Sequence, residues 1–547
     1  VSGNANEAEQ VNGSGGGLYN GSNASPTIRN CVFRHNSARG NNYTAGGGAI
    51  ANTQANSKPM FVGCTIEHNF GEHSGSVCNR NGGAPTFVDC LFDGNRSYYW
   101  GGAMSSGPGS PTMRGCTFRN NRANNDGGAI YNHNSTLTVA ACTFEKNSSK
   151  TYGGAICNEN STAILEDSIF LENDCASSGG AIMNYANDNG IIQRCVFYAN
   201  AAGGDGGAVY LRYPIAGMAV EKCTFLGNRA KRYGGAVKTH AGKPVVVSNC
   251  TFSSNYTQAG GGYGGAIHLY TENAALLNCT LWNNETNVEG GGVYCWGCTV
   301  EMHNCILWEN RDNGGVQADA SAQIHGDKVT MTYCCVQGLD PASLSDENIS
   351  ADPRLVDPLG PDWLPGTLDD DLRLALDSPC IDAGNNESVP AGVITDISGA
   401  RRFADYPHLA DTGHGMAPIV DMGSSEVCPL RWWAFEEPAI QPQVVQDWLY
   451  LGQPGCWCAP YQCDGDAGQD LSPMPTFYRV YLTDLNLIVN NWQKRIDDPT
   501  FDPCADIDHK SSGWPSRYRV FIKDLNILVS NWCKRDADLA GDCPRPE

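Results

Sequence analysis

The chain has 547 residues, with 58 acidic side chains against 36 basic ones and a net charge of −22. Such a surface repels nucleic acid and anionic lipid and suits cations, and the absence of an apolar run of about 18 residues argues against membrane insertion through a helix. A prior of about 150 residues per domain predicts three or four domains, unless the chain is a repeat protein. The opening stretch from Val1 carries no signal-like segment, which reads as a processed or partial chain.

From the N-terminus onward a phrase recurs. Glycine pairs stand at Gly47-Gly48, Gly101-Gly102, Gly127-Gly128, Gly153-Gly154, Gly179-Gly180, Gly206-Gly207, Gly234-Gly235, Gly264-Gly265 and Gly290-Gly291, usually 26 to 28 residues apart. A cysteine row keeps step at Cys31, Cys64, Cys90, Cys116, Cys142, Cys195, Cys223, Cys250, Cys279 and Cys305, with Ser168 filling one gap and Cys334 or Cys335 ending it. Five residues after each, through Cys305, comes an asparagine, as at Asn95, Asn121 and Asn147. In one copy the strand-like pieces are Ala129–Tyr131, Leu137–Val139 and Cys142–Phe144. The apolar parity changes between the last two, so Ala141 must turn a corner; Asn30, Asp89, Asp167, Asn249, Asn278 and Asn304 hold the same place elsewhere. Asn, Asp and Gly tolerate the left-handed backbone that such a corner needs.

This pattern predicts a mainly β fold, a right-handed parallel β-helix of about twelve three-strand coils over residues 1–335. Like residues then stack at a spacing of about 4.8 Å, and stacked cysteines serve as small apolar core residues. Gly-Gly-Ala-Ile with Phe-x-x-Asn resembles the repeat of chlamydial polymorphic outer-membrane proteins and of β-helix proteins on planctomycete-type cell surfaces. The resemblance implies an extracellular or cell-surface protein and is nearly silent on activity.

Residues 336–430 lose the period and read as a loop-rich acidic closing segment, whose task is to cover the strand edge of the last coil. Asp357, Asp362, Asp369, Asp370 and Asp371 fall within fifteen residues. A second metal cluster drawn from Asp357, Asp362, Asp369 and Asp371 is one reading; a solvated acidic turn is the other. Eight cysteines from Cys380 to Cys543 lie off the row, and disulfides are expected among them.

Residues 431–547 hold a tandem repeat, in which Tyr478–Trp492 matches Tyr518–Trp532. Each copy follows a segment with acids two residues apart, and each leads into an amphipathic helix. Asp464, Asp466 and Asp484 in the first copy, and Asp506, Asp508 and Asp524 in the second, are placed to bind Ca2+. The pair resembles a dockerin, although Asp470–Phe477 and Ser511–Arg517 are insertions within the loops. That resemblance implies a cohesin-like partner on another chain. Plain helical hairpins with Asp484 and Asp524 as N-caps are the alternative.

Sugar-cleaving acid/base chemistry usually needs two neighbouring carboxylates. The outward positions after the glycine pairs read Tyr131, Cys157, Met183, Tyr210, Lys238, His268 and Tyr294, without such a pair. His240 and His268 near Lys238 are the best catalytic candidates, and surface histidines are the plainer reading. Tyr210, Tyr270, Tyr294 and Trp296 form a candidate carbohydrate-binding strip, or simply a covered sheet face.

The first coil opens without a cap, so a preceding piece or another copy is expected to cover it. Head-to-tail contacts that do not close build filaments. The resulting expectation is a non-enzymatic structural or adhesive rod that self-associates or attaches through a calcium-dependent tail. The alternative is a polysaccharide-binding or polysaccharide-degrading β-helix carried by that tail.

Overall fold

A computed structural model describes residues 5–427, apart from 8–15, 22, 40–45, 54–56, 187–189, 216, 259, 314–319, 341–346 and 405–408. The described residues form two compact units. The first runs to Pro390 and adds Gly413–Gly415 and Met422–Ser424; the second holds Ala391–Thr412, Met416–Asp421 and the described residues 425–427.

The first unit is a parallel β-helix. Among the described residues three sheets have twelve strands each, every strand pairing with its counterpart one coil away. In the coil that follows Gly127-Gly128 these strands are Ile130–His133 in sheet one, Thr136–Ala140 in sheet two and Thr143–Glu145 in sheet three. The register is in step: Ile130 faces Ile156, Val139 faces Leu165 and Phe144 faces Phe170. Beyond the three expected strands there is a fourth, only two residues long in most coils (here Ser148–Ser149), which builds a ten-stranded sheet four. It escaped the pattern because two residues show no alternation.

Stacking fills the coil. Phe92, Phe118, Phe144, Phe170, Phe197, Phe225 and Phe252 form a column with centroids 4.4 to 4.8 Å apart and planes within 7° of parallel. Rings usually prefer offset or edge-on contact; here the strand spacing imposes the parallel stack. The cysteine row is buried from Cys64 to Cys334 as free thiols, with only Cys31 exposed. The asparagine row forms a closed ladder. Asn121 Nδ2 donates to Phe92 O at 2.9 Å and to Asn147 Oδ1 at 3.0 Å, while its own Oδ1 accepts from the backbone and side chain of Asn95. A second ladder, Asn20 to Asn52 to Asn79, lines sheet one.

The corners have left-handed backbone as anticipated, with φ near 50° at Asn30, Asp89, Ala141, Asp167, Asn249, Asn278 and Asn304. A second left-handed corner precedes each ladder asparagine, and there even Lys146 and Glu172 adopt φ of 52° and 50°. At the far end Ile349 pairs with the edge of Cys335–Val336, and Asn385 and Gly423 donate backbone N–H groups to the side chain and carbonyl of Asn304. Cys380 is a buried free thiol beside Cys335; the other seven off-row cysteines lie outside the described residues.

Candidate functional site

The glycine pair builds the site. Gly234 has φ +63°, and a Cβ there would sit 2.2 Å from Val237 O; a Cβ on Gly235 would sit 2.0 Å from Gly265 O. The pair folds the chain back so that the residue before it lies over the outer face of sheet one. Those preceding residues stack coil upon coil, with Tyr152 bridging Ser178 and Tyr233 bridging Tyr263 in parallel.

Two rows therefore meet. The outward residues of sheet one are covered rather than exposed: Lys238 is 3% exposed, His268 5%, Tyr210 5% and Tyr294 5%. Strand parity sets the direction of a side chain, but the overlying turn sets its burial. Between the rows opens a cavity of about 490 Å³. Tyr152, Ser178, Asp205, Tyr233 and Tyr263 line it from the turns, Tyr210, Lys238 and His268 from the sheet, and Arg212, His240, Tyr270 and Trp296 from the strand ends; Ser177 and Arg232 complete the wall.

Polar contacts inside are few and short. Lys238 Nζ lies 2.6 Å from His268 Nδ1 and 5.6 Å from the ring centres of both Tyr233 and Tyr270. Arg232 grips Asp205 with Nε at 3.1 Å and Nη2 at 3.2 Å. Arg212 lies 5.3 Å from the ring centres of both Tyr185 and Tyr213, two rings set nearly perpendicular with centres 6.0 Å apart. Burial pulls Lys238 down to about 7, with Arg232 adding to the effect and Asp205 opposing it. His268 is held well below the ordinary histidine range by burial and then by Lys238. His240 is lowered by burial, Lys238 and Arg212. Burial also raises Asp205 against the pull of Arg232.

The structure thus brings Tyr210, Tyr270 and Trp296 to one cavity together with His240, His268 and Lys238. Tyr270 and Trp296 present rings 41% and 59% exposed. Trp296 sits on a tight turn whose ends, Cys295 and Cys298, are joined by a disulfide. Tyr294 packs behind the cavity wall, with ring centres 4.5 Å from Tyr263 and 5.1 Å from His268. The turn row, including Asp205, Tyr233 and Tyr263, was missed by reading only the strand positions. Its signal was present as the residue immediately before each glycine pair.

In the acidic loop Asp362, Asp369 and Asp370 converge, their nearest oxygens within 4.8 Å of one another. Asp371 points elsewhere and pairs with Arg373 at 2.6 Å, while Asp357 lies opposite it in a two-stranded antiparallel ribbon. Asp370 accepts the N–H of Gly366 at 2.6 Å within the loop, whereas Asp371 opens the strand Asp371–Leu374. Asp464, Asp466, Asp484, Asp506, Asp508 and Asp524 lie outside the described residues.

Residues 3–170, 51–211 and 153–330 each match the family described as right handed beta helix region. These matches together span more than half of the chain, which therefore belongs to that family. No curated protein and no solved structure matches the chain.

Proposed function

We propose that the chain is an extracellular, non-enzymatic β-helix scaffold that binds carbohydrate through the cavity on sheet one. The observation that carries this reading is the exposed Tyr270 and Trp296 rings at the mouth of a cavity of about 490 Å³ that is otherwise walled by tyrosines and a few polar groups. Its volume lies within the range of about 300–1,000 Å³ usual for small-ligand sites, which combine apolar walls with a few orienting polar groups. A pyranose ring has a face of C–H bonds that lies flat on an aromatic ring, and hydroxyls at its edge that meet such groups. Among the described residues lining the cavity Asp205 is the one carboxylate, and it is paired with Arg232. Glycoside hydrolysis generally uses two, so binding fits this geometry better than hydrolysis.

On this reading the tandem repeat over residues 431–547 attaches the rod, holding Ca2+ through its six aspartates and docking to a cohesin-like surface protein or to the next copy. Calorimetric titration of the chain with a polysaccharide panel tests the cavity. Trp296→Ala and Tyr270→Ala should each weaken binding by about tenfold, equivalent to about 1.4 kcal/mol. Absence of binding across the panel would sink the proposal. Electron microscopy with Ca2+ and with chelator tests the attachment: fibres or partner complexes that dissolve in chelator are expected, and assembly indifferent to Ca2+ overturns that part.

A further inference from the structure

The charge of the cavity runs against that of the molecule. The chain carries a net charge of −22, yet the cavity holds Arg212, Arg232 and Lys238 against one carboxylate, Asp205. Arg232 pairs with Asp205, its Nη2 donating to Oδ2, so the single internal countercharge is already engaged. Among the described residues neither Arg212 nor Lys238 has a carboxylate partner. The Arg212 guanidinium lies in the corner made by the perpendicular rings of Tyr185 and Tyr213, and its Nε is buried and without a hydrogen-bond partner. A buried donor left unmade is costly, and an arginine held against two rings at a cavity wall offers its planar fork to an oxyanion.

We infer that the sugar bound here is acidic: a carboxylate or a sulfate on the ring supplies the countercharge for Arg212 and Lys238. This rests on the carbohydrate reading above and narrows it. The aromatic rings hold the ring faces, and the two cations select the charged substituent. The polar groups facing Lys238 are Asp205, Arg232, His240 and His268. Of these only Asp205 is anionic, and Arg232 already engages it. The anion therefore has to come from the ligand.

The test is calorimetry of the full chain with hexasaccharides of three backbones, a glucan, a galactan and a mannan, each in neutral, C6-carboxylate and sulfate-ester form. At low salt at least one backbone should bind about tenfold or more tightly as the carboxylate or the sulfate than as the neutral sugar. The advantage should shrink at about 0.5 M NaCl, where the Debye length is only a few ångströms. Whichever charged form binds tighter identifies the substituent. Arg212→Gln should bring the ratio of charged to neutral affinity toward one, and Lys238→Met should do the same; the half-buried Arg212 makes its variant the safer to fold. Equal binding of neutral and charged forms would overturn this inference while leaving the carbohydrate reading in place. No binding in any form would overturn both.

Discussion

A single side chain in this coil is judged by the one above and the one below. Ser168 shows what the cysteine column tolerates. Its hydroxyl donates to Glu166 O at 2.7 Å and accepts the N–H of Cys142 at 3.1 Å, doing with oxygen what each thiol does with sulfur. Cys142→Ser should therefore cost about 1 kcal/mol. Phe144 has stacked rings on both sides and no exposure. Phe144→Ala should cost about 3–5 kcal/mol because the column cannot collapse around the gap. Denaturant titration of the two variants measures the contrast. The asparagine ladder is less forgiving, since Asn121 uses both donors on oxygens. Asn121→Asp replaces those donors with a carboxylate facing two acceptors, at a cost of about 3 kcal/mol or more. Its folded pKa is then raised, so the loss grows as pH climbs above about 3.9 and fades in acid. Melting curves at pH 7 and pH 4 give the sign.

An element here is a strand with the glycine turn that precedes it. The stretch from Arg232 to His240 places Arg232 and Tyr233 over the face while Lys238 and His240 line the cavity from the strand. That arrangement produces two opposite pH effects. Burial lowers Lys238 from 10.5 to about 7 in the folded chain. Between those values the unfolded chain binds more protons, so stability rises with pH across the window and the full penalty is borne below about 7. Lys238→Met should flatten the slope of melting temperature against pH between 7 and 10. Affinity for an acidic sugar should run the other way and strengthen from pH 8 to pH 6, as the amine gains its charge. Titration at four pH values checks this.

Over the whole molecule one principle repeats, while the second unit works differently. Among the described residues the asparagine row inside the coils hydrogen-bonds to its own copies, as Asn121 does to Asn95 and Asn147. In the second unit Arg402 is fully buried, with Nε 3.2 Å from Glu426 and Nη2 donating to Asp421 O at 3.0 Å. Glu426 is raised well above the usual carboxylate range by burial and then by Asp421. Asp396 caps its own turn by accepting from Ser398 and Ala400, and accepts the N–H of Glu426 as well. Arg402→Met removes the cation from among these acids and should destabilise this unit by about 3–5 kcal/mol. Limited proteolysis, with new cleavage in residues 391–427 ahead of the coils, is the expected readout.

The coil was legible in the residue order itself. A period with like residues at fixed offsets satisfies its hydrogen bonds and fills its core only when copies stack in parallel and in register, so Phe144 above Phe118 and a left-handed Ala141 followed from spacing alone. The fourth strand was not legible, because two residues carry no period. Nor was the cavity. Asp205, Tyr233, Lys238 and Trp296 are separated by 5 to 91 positions along the chain, and they meet because glycine pairs fold one row over another. Side-chain direction is a local property that repeats declare. Burial and charge pairing depend on what lies across a turn and one coil away, and for those only the tertiary structure decides.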